Sequence, residues 1–199
     1  CYDDVMGAIS SALRGMLISA PGKDLLVADY SAIEARCVLW LADDEVGMQD
    51  FSNYDNGKGD EPYVIMARRI YGKSDISKAE RQLGKTAILG CGYGMGVNKF
   101  HSTCNGWGLG ISESLAESAV RAYRETYRGV VDFWYNFERA AIHCLRHKED
   151  VVYQKFKWEL RGDFLFCRLP SGRCLSYPYP RLERVEKWGR KRTQLTYMT

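Results

Sequence analysis

The pattern of apolar and polar residues changes at Asp29, near the start of the chain. Before it, the run DLLVADY at residues 24–30 follows the turn-forming residues APGK, which predicts a buried strand of about six residues. After it, the apolar positions take helical spacing, with Ser31 as the predicted N-cap and Glu34 as its capping-box partner. Asp29 is therefore expected at a junction between a strand and a helix.

Most of the remaining chain is predicted to be helical, and its end is predicted to form β hairpins. Residues 43–60 are acidic and rich in Gly and Asn, which predicts a loop. Helical spacing predicts three helices, the second capped by Ser77 and the third interrupted near Gly129, over residues 62–71, 77–90 and 112–147. Beyond residue 150, alternating segments separated by RGD and PSGR are typical of hairpins. This order of elements predicts an α+β fold.

Composition narrows the class of protein. The chain has 199 residues, 46% hydrophobic and 27% charged, which does not suit collagenous, coiled-coil or disordered proteins. Its net charge of +3 is a mild basic bias that permits nucleic-acid binding without requiring it. The chain begins with Cys1 and ends on LTYMT in the middle of a pattern, so we interpret it as a piece of a longer protein.

Cysteine usage and hydropathy suggest a compartment. The seven cysteines occur singly, with no C-x-x-C pair, which favours reduced thiols in a cytoplasmic protein. No apolar stretch reaches the length of about 18 residues that a membrane-spanning helix needs, so no membrane partner is expected.

Three short motifs suggest sites that the surrounding residues do not support. YGKS at residues 71–74 resembles the end of a phosphate-binding loop, but Ala67 occupies the position of its first glycine. GCGYGMG at residues 90–96 does not match the G-x-G-x-x-G of dinucleotide-binding proteins. His143 and His147 share one helical face, yet no glutamate lies between them and no third ligand is evident. An ordinary helix surface is favoured over a zinc site.

The segment ERQLGKTAILGCGYG carries the strongest candidate chemistry. On a helix, every fourth residue from Arg81 falls on one stripe about 18 Å long. Its members are Arg81, Lys85, Leu89 and Tyr93. Two cations followed by an apolar and an aromatic residue suit a polyphosphate at one end and a base at the other. The alternative is a solvated basic face that runs into a core-facing half.

Three glycines in this segment weaken the alternative. Each costs about 1 kcal/mol relative to alanine in a helix interior, so their presence indicates a close approach or movement. They are Gly84, Gly90 and Gly92.

DYSAIEAR at residues 29–36 resembles motif A of family A DNA polymerases, usually D-Y-S-Q-I-E-L-R, with Ala32 in place of Gln. RQLGKTAILGCGYG at residues 81–94 is similar to their motif B, R-x-x-x-K-x-x-x-[FY]-G-x-x-Y-G, with Leu89 in place of the aromatic residue. The two motifs occur in the family's order and separation, and phage-type members are the most similar. The resemblance implies mostly helical fingers attached to part of an antiparallel palm sheet. The implied divisions are a palm portion at 1–36, fingers at 37–150 and returning hairpins at 151–199.

The resemblance implies that both motifs take part in template-directed DNA synthesis. Asp29 would bind both catalytic Mg²⁺ ions, and the Tyr30 carbonyl would supply a further oxygen ligand. Glu34 would exclude a ribose 2′-hydroxyl. Arg81 and Lys85 would hold the triphosphate of the incoming dNTP, and Lys85 would also protonate the pyrophosphate leaving group.

Further residues would complete the contacts with the nucleotide and with primer–template DNA. Tyr93 would lie near the templating base, and Gly94 would let the chain leave the helix. Leu89 would contact the nucleotide, and Tyr63 occupies the position of a triphosphate-contacting His in many relatives. A basic tail is predicted to contact the DNA backbone, with a solvated ribbon surface as the alternative, through Arg190, Lys191 and Arg192.

The sequence contains no H-D-E motif C, and this leaves more than one function open. In the family that motif supplies the second metal-binding carboxylate, so the chain alone is predicted to be an inactive polymerase fragment that needs the remainder of the polymerase chain. The alternative is a non-catalytic nucleotide- or nucleic-acid-binding module derived from a polymerase. A metal-dependent hydrolase that uses Asp29 and Glu34 is a weaker third interpretation.

Overall fold

The computed structural model describes residues 5–187 and 190–198. The chain divides into two compact units, Cys1–Ser31 and Ala32–Thr199. The described residues of the first unit form one helix, α1, over Val5–Gly15, followed by an irregular segment.

The second unit contains seven helices and six strands within the described residues, which confirms the α+β fold. The helices are α2 Ile33–Leu41, α3 Glu45–Asp55, α4 Pro62–Tyr71, α5 Lys78–Gly92, α6 Val97–Gly106, α7 Glu113–Thr126 and α8 Arg128–His147. The strands are β1 Val151–Tyr153, β2 Phe156–Arg161, β3 Phe164–Arg168, β4 Cys174–Pro178, β5 Arg181–Lys187 and β6 Arg190–Thr196. Within the part described, no helix combines the length and apolar character needed to cross a bilayer.

The strand predicted at residues 24–30 is absent, and this prediction is wrong. The segment has no regular secondary structure, and its apolar side chains are exposed, with Leu26 at 97% and Val27 at 90%. A strand is stabilised by hydrogen bonds to a neighbouring strand. Neither sheet among the described residues includes this segment, so its apolar residues do not pair with another strand there.

The start of α2 also differs from the prediction. The N-cap is Ala32, whose backbone is left-handed at φ 53°, and it makes no side-chain capping hydrogen bond. The prediction that Ser31 is the N-cap is therefore wrong, because Ala32 takes that position. Because Ala32 leaves the extended region, the helical hydrogen bonds begin at its carbonyl, which accepts from the Arg36 N–H at 3.0 Å.

The prediction of a loop at residues 43–60 is wrong for Glu45–Asp55, because these residues form helix α3. The Asp44 side chain accepts a hydrogen bond from the Gly47 N–H at 2.9 Å and caps this helix. Gly47 packs closely on Leu39, and Phe51 is buried, so contacts with α2 offset the polar composition.

The helices predicted from sequence at 62–71 and 77–90 are confirmed as α4 and α5. The Ser77 hydroxyl accepts from the Glu80 N–H at 3.3 Å, and the Glu80 carboxylate accepts from the Ser77 N–H at 2.9 Å, so the predicted capping box is present. The third helical pattern is divided into α7 and α8 at Tyr127, close to the expected break. Helices α1 and α6 were not assigned from the sequence.

The glycines of α5 explain how α4 and α5 approach each other. A Cβ at Gly84 would collide with the Tyr63 carbonyl and would lie 2.9 Å from the Ala67 nitrogen, so only glycine fits this contact. At Gly90 and Gly92 the nearest atoms would be at 3.5 and 3.6 Å, which is ordinary contact. The predicted close approach is therefore confirmed at Gly84.

The C-terminal strands form the predicted hairpins. β1 to β4 make an antiparallel sheet in sequence order, and β5 pairs with β6 separately. Phe137 of α8 lies 4.9 Å, centroid to centroid, from both Phe156 and Trp158 of β2. This aromatic cluster joins α8 to the sheet and continues the buried core of the helices.

Candidate functional site

The predicted stripe on α5 is present, and its first two residues lie over one buried ring. The Arg81 Cζ is 5.6 Å and the Lys85 Nζ is 5.9 Å from the ring centroid of Tyr63 on α4. Tyr63 is buried, at 7% exposure, so α4 holds a fixed aromatic surface beneath both cations. The predicted contact of Tyr63 with a triphosphate stays a prediction.

Arg81 is held by a carboxylate that the sequence did not reveal. Its Nε and Nη2 donate to the two oxygens of Glu61, each at 2.5 Å. This bidentate pairing raises the pKa of the Arg81 guanidinium, mainly through the hydrogen bonds and in spite of some burial. The geometry is the one by which arginine binds phosphate, so Glu61 occupies the fork that an anionic ligand would use.

Lys85 differs from Arg81 in this respect. Within the described residues it makes no ion pair, and its side chain is partly buried one turn further along α5. Burial, and then the negative charge of Glu61, raise the pKa of the Tyr63 phenol, which keeps this ring neutral beneath the ammonium. Lys85 is therefore a cation positioned by packing and available to an anion.

Helices α2 and α5 enclose a cavity of about 310 Å³, here termed the α2–α5 cavity. Glu34 contributes to its wall from the first turn of α2, and Leu89 and Tyr93 contribute from the end of α5. The apolar side chains of Val38 and Ile88 also line it. The second unit thus brings together three of the predicted nucleotide-binding residues, although 59 residues separate the first from the last.

Glu34 and Tyr93 also interact with each other. Hydrogen bonding to the Glu34 carboxylate, followed by burial and by the charge of that carboxylate, raises the pKa of the Tyr93 phenol. Tyr93 is the C-cap residue of α5 and is 73% exposed, and Gly94 follows it at φ 73°. Gly94 therefore ends the helix in a conformation that favours glycine, as the sequence suggested.

Asp29 and Tyr30 belong to the first unit. Both are exposed, in the irregular segment before Ser31. A carboxylate and a backbone carbonyl are hard oxygen donors, which suit Mg²⁺, and exposure leaves them accessible. The described residues contain no group of three His, Cys, Asp or Glu side chains arranged to hold a metal ion. The oxygen donors of Asp29 and Tyr30 therefore fit Mg²⁺. Asp29 is the one carboxylate assigned to the metal site, and a single carboxylate is not enough to hold two ions.

The basic tail forms the β5–β6 hairpin. Lys191 is opposite Glu186, and Arg192 is opposite Val185. Both cations are exposed, and Arg192 donates to Glu138 of α8 at 3.3 Å. The side chain of Arg190 lies outside the described residues, so its predicted contact is not addressed by the structure.

Two further polar residues of the second unit make contacts across helices: Arg36 of α2 and Glu61 at the start of α4. Arg36 of motif A donates two hydrogen bonds to Asp55 of α3, at 2.7 and 2.8 Å, and lies 4.4 Å from the Phe51 ring centroid. It ties α2 to α3. Glu61 was missed because nothing in its local sequence marks it as a partner of Arg81, 20 residues away.

Comparison with known proteins agrees with the two motifs. The model for DNA polymerase family A matches residues 5–149. The chain is 34% identical to a DNA polymerase of Bacillus phage SP02, over 98% of this chain and 30% of that protein. It is 35% identical to a DNA polymerase I of Synechocystis sp., over 61% of this chain and 12% of that protein.

A DNA polymerase I of Aquifex aeolicus is 27% identical over 78% of this chain and 25% of that protein. The chain therefore spans less than a third of the length of each of these relatives. The family match covers more than half of the chain and includes the α5 stripe and the α2–α5 cavity. The chain belongs to DNA polymerase family A.

Proposed function

We propose that this chain supplies the nucleotide-binding fingers and one metal-binding carboxylate for template-directed DNA synthesis. The observation that carries the proposal is the arrangement on α5, where two cations lie over the Tyr63 ring and lead to the α2–α5 cavity. Cations at one end and a mostly apolar cleft at the other suit the two halves of a nucleoside triphosphate. The family membership supports the same substrate class.

The proposed roles follow from these positions. Arg81 binds the triphosphate by exchanging the Glu61 carboxylate for phosphate oxygens. Lys85 binds the same group and donates a proton to the oxygen that leaves with pyrophosphate. The bond between that oxygen and the α-phosphorus breaks as the primer 3′ oxygen, whose proton passes to solvent water, bonds to the same phosphorus. Glu34 lies beside the sugar and excludes a 2′-hydroxyl, Leu89 contacts the base or sugar, and Tyr93 adjoins the templating base.

Asp29 and the Tyr30 carbonyl would hold Mg²⁺ in this proposal. When bound, Mg²⁺ supplies charge stabilisation for phosphoryl transfer and lowers the pKa of the attacking hydroxyl. The chain's own contribution is one exposed carboxylate and one carbonyl, which alone would leave most of the coordination to water.

We also propose that these residues act together with the remainder of a longer polymerase polypeptide. The lengths of the relatives support this, since each is at least three times the matched segment. The exposed Leu26 and Val27 support it further, because adjacent apolar side chains of this kind mark a surface for another protein segment. In this proposal the enzyme acts on dNTPs and primer–template DNA in a bacterial or phage-infected cell, and the tail residues Lys191 and Arg192 contact the DNA backbone.

The second candidate function is a binding module without catalysis. The ion pair of Arg81 with Glu61 favours it, because a fork already filled by a carboxylate suits regulated or weak anion binding. The hydrolase interpretation has less support, since Glu34 is engaged with Tyr93 and lines a largely apolar cavity.

Primer extension with Asp29→Asn in the longer polypeptide separates the two candidates. Turnover is expected to fall by about three orders of magnitude or more, with primer–template affinity nearly unchanged. Asp24→Asn is the matched control, because Asp24 is another exposed aspartate in the same segment. Near-normal turnover of Asp29→Asn contradicts the polymerase proposal. The present chain alone is expected not to extend a primer, and extension that Asp29→Asn abolishes would contradict that expectation.

A further inference from the structure

A cluster of polar side chains lies where α3 meets α4 and the junction between α7 and α8. Asp44 and Asp50 come from the N-cap and the second turn of α3, Arg69 comes from α4, and Thr126 and Tyr127 form the junction. The charges of Asp50, Arg69 and Asp44 all act on the Tyr127 phenol. None of these residues belongs to the proposed nucleotide or metal sites, so the cluster needs an explanation of its own.

Hydrogen bonds and close packing fix part of this cluster. The Arg69 Nη1 donates to the Thr126 hydroxyl at 3.1 Å, and that hydroxyl donates to the Ala122 carbonyl at 2.7 Å. A Cβ at Gly129 would lie 2.9 Å from Asp44 Oδ2, so the first turn of α8 packs directly on the Asp44 side chain. Because Asp44 also caps α3, the beginning of α3 is held against α8.

Two oxygen atoms of the cluster are buried and make no hydrogen bond to the described residues. They are Asp50 Oδ2 and the Tyr127 hydroxyl, and Tyr127 as a whole is only 1% exposed. Buried polar groups are expected to have partners. An ionised carboxylate accepts and a phenol donates, so the two groups can satisfy each other, directly or through one bound water.

The surroundings of Asp50 favour its neutral form. Burial raises the pKa of the Asp50 carboxyl group, Arg69 lowers it and Asp44 raises it, and the net direction is upward. Burial, and then the charge of Asp50, raise the pKa of the Tyr127 phenol, which therefore stays neutral. A neutral phenol can serve both forms of Asp50, since it donates to a carboxylate and accepts from a protonated carboxyl group.

We propose that Asp50 is a proton-controlled latch between α3 and the α7–α8 junction, weak when its carboxylate is charged and strong when it holds a proton. The proton is exchanged with water, and only the O–H bond of the carboxyl group forms or breaks. Helix α3 holds α2 through the packing of Gly47 on Leu39 and through the two hydrogen bonds between Arg36 and Asp55. Release of α3 therefore loosens the wall of the α2–α5 cavity that α2 supplies. The latch acts on folding and does not depend on the proposed function.

Folding should become less favourable as Asp50 loses its proton. A carboxyl group whose pKa is raised on folding binds its proton more tightly in the folded state than in the unfolded state. The charged form of Asp50 thus destabilises the folded chain above the folded-state pKa, and this effect is lost as the pH falls to the unfolded value of 3.8 and below. Asp50→Asn, which is neutral at every pH, lacks this penalty.

Thermal unfolding of the purified chain from about pH 4 to about pH 8 tests the latch. The Tm of Asp50→Asn should exceed that of the wild type by about 2 °C or more at the upper pH, and the difference should shrink as the pH falls. Glu45→Gln is the matched control, because Glu45 is an exposed acid in the first turn of the same helix, where a negative charge is favourable. It should not raise the Tm at any pH. A wild type at least as stable as Asp50→Asn at the upper pH overturns the latch.

Hydrogen exchange shows whether the effect is local to α3. Protection of the α3 amides, corrected for the intrinsic pH dependence of exchange, should increase in the wild type as the pH is lowered and stay constant in Asp50→Asn. The amides of α5 are the internal reference. Equal changes in α3 and α5 would mean that Asp50 acts on global stability alone, and they would overturn the latch.

Two further variants identify the groups that act on Asp50. Arg69→Gln and Tyr127→Phe each remove a group that favours the carboxylate, so the midpoint of the Asp50 carboxyl resonance in an NMR titration should move to higher pH in both. Arg69 is exposed, so its variant is expected to fold even if the change at the buried Tyr127 is not tolerated. A midpoint that is unchanged in Arg69→Gln would place Asp50 outside the cluster and overturn the latch.

Discussion

The Arg81 guanidinium and the Glu61 carboxylate form a two-point ion pair, with both hydrogen bonds at 2.5 Å. The pair joins the N-cap residue of α4 to the first turn of α5. Lys85, one turn away, makes no ion pair among the described residues. The two cations over Tyr63 therefore differ in their availability to a ligand. A triphosphate must displace Glu61 before it binds Arg81, whereas it can bind Lys85 directly.

The first prediction is that Glu61→Gln strengthens triphosphate binding. The variant keeps the size of the side chain and removes the charge that competes for the guanidinium, so affinity should rise about threefold to tenfold. Titration of the chain with a fluorescent dNTP measures this. Asp60→Asn is the control, because Asp60 pairs with Arg68 instead of Arg81. Unchanged affinity in Glu61→Gln would mean that Arg81 does not contact the triphosphate.

The second prediction concerns the approach of α4 to α5. Gly84→Ala should reduce the free energy of unfolding by about 2 to 3 kcal/mol, because its methyl group collides with the backbone of α4. Gly90→Ala should be neutral or should stabilise the chain by up to about 1 kcal/mol, since its methyl group finds ordinary contacts and alanine favours the helix. Urea unfolding of both variants compares them. Equal effects would exclude the steric explanation.

The third prediction concerns how the contribution of Glu80 to thermal stability changes as the pH is lowered. Ion pairing with Lys73, followed by the Ser77 backbone hydrogen bond, lowers the pKa of Glu80 to about 2. A carboxyl group with a lowered pKa in the folded state stabilises that state above its unfolded pKa of about 4.5 and loses the effect as the pH falls to about 2. The difference in Tm between the wild type and Glu80→Gln should thus be largest at neutral pH and vanish near pH 2.

Lys73→Gln provides the control for this titration. It removes the first cause of the lowered pKa and keeps the Ser77 cap, so the Glu80 transition in an NMR titration should move to higher pH. A transition that stays at its wild-type position would assign the shift to the capping box alone.

The sequence predicted α5 well because its signals are local. The Ser77 and Glu80 cap lies within four residues, and the stripe from Arg81 follows from helical geometry alone. The failed strand at residues 24–30 shows the opposite case, because a strand needs a partner that a local apolar pattern does not specify. Helix α3 was missed for a related reason, since the burial of Phe51 depends on contacts with α2.

The residues of the candidate site likewise include some that the sequence suggested and some that it did not. The family resemblance suggested Glu34, Leu89 and Tyr93, and the fold brings them to one cavity. The partner of Arg81 had no counterpart in the motifs, because it depends on a contact between residues 20 positions apart in sequence.

The last prediction tests the role of Glu34 in sugar selection. Glu34 lines the α2–α5 cavity together with Tyr93, and hydrogen bonding to its carboxylate raises the pKa of the Tyr93 phenol. Glu34→Ala should open the space beside the sugar and lower the ratio of kcat/KM for deoxy- over ribonucleotides by about tenfold or more in the longer polypeptide. Glu34→Gln keeps the bulk and should largely retain the ratio. Tyr93→Phe removes the positioning contact and should give an intermediate ratio if position matters. If Glu34→Ala leaves the ratio unchanged, then Glu34 does not contact the sugar, and its pairing with Tyr93 serves only to join α2 to α5.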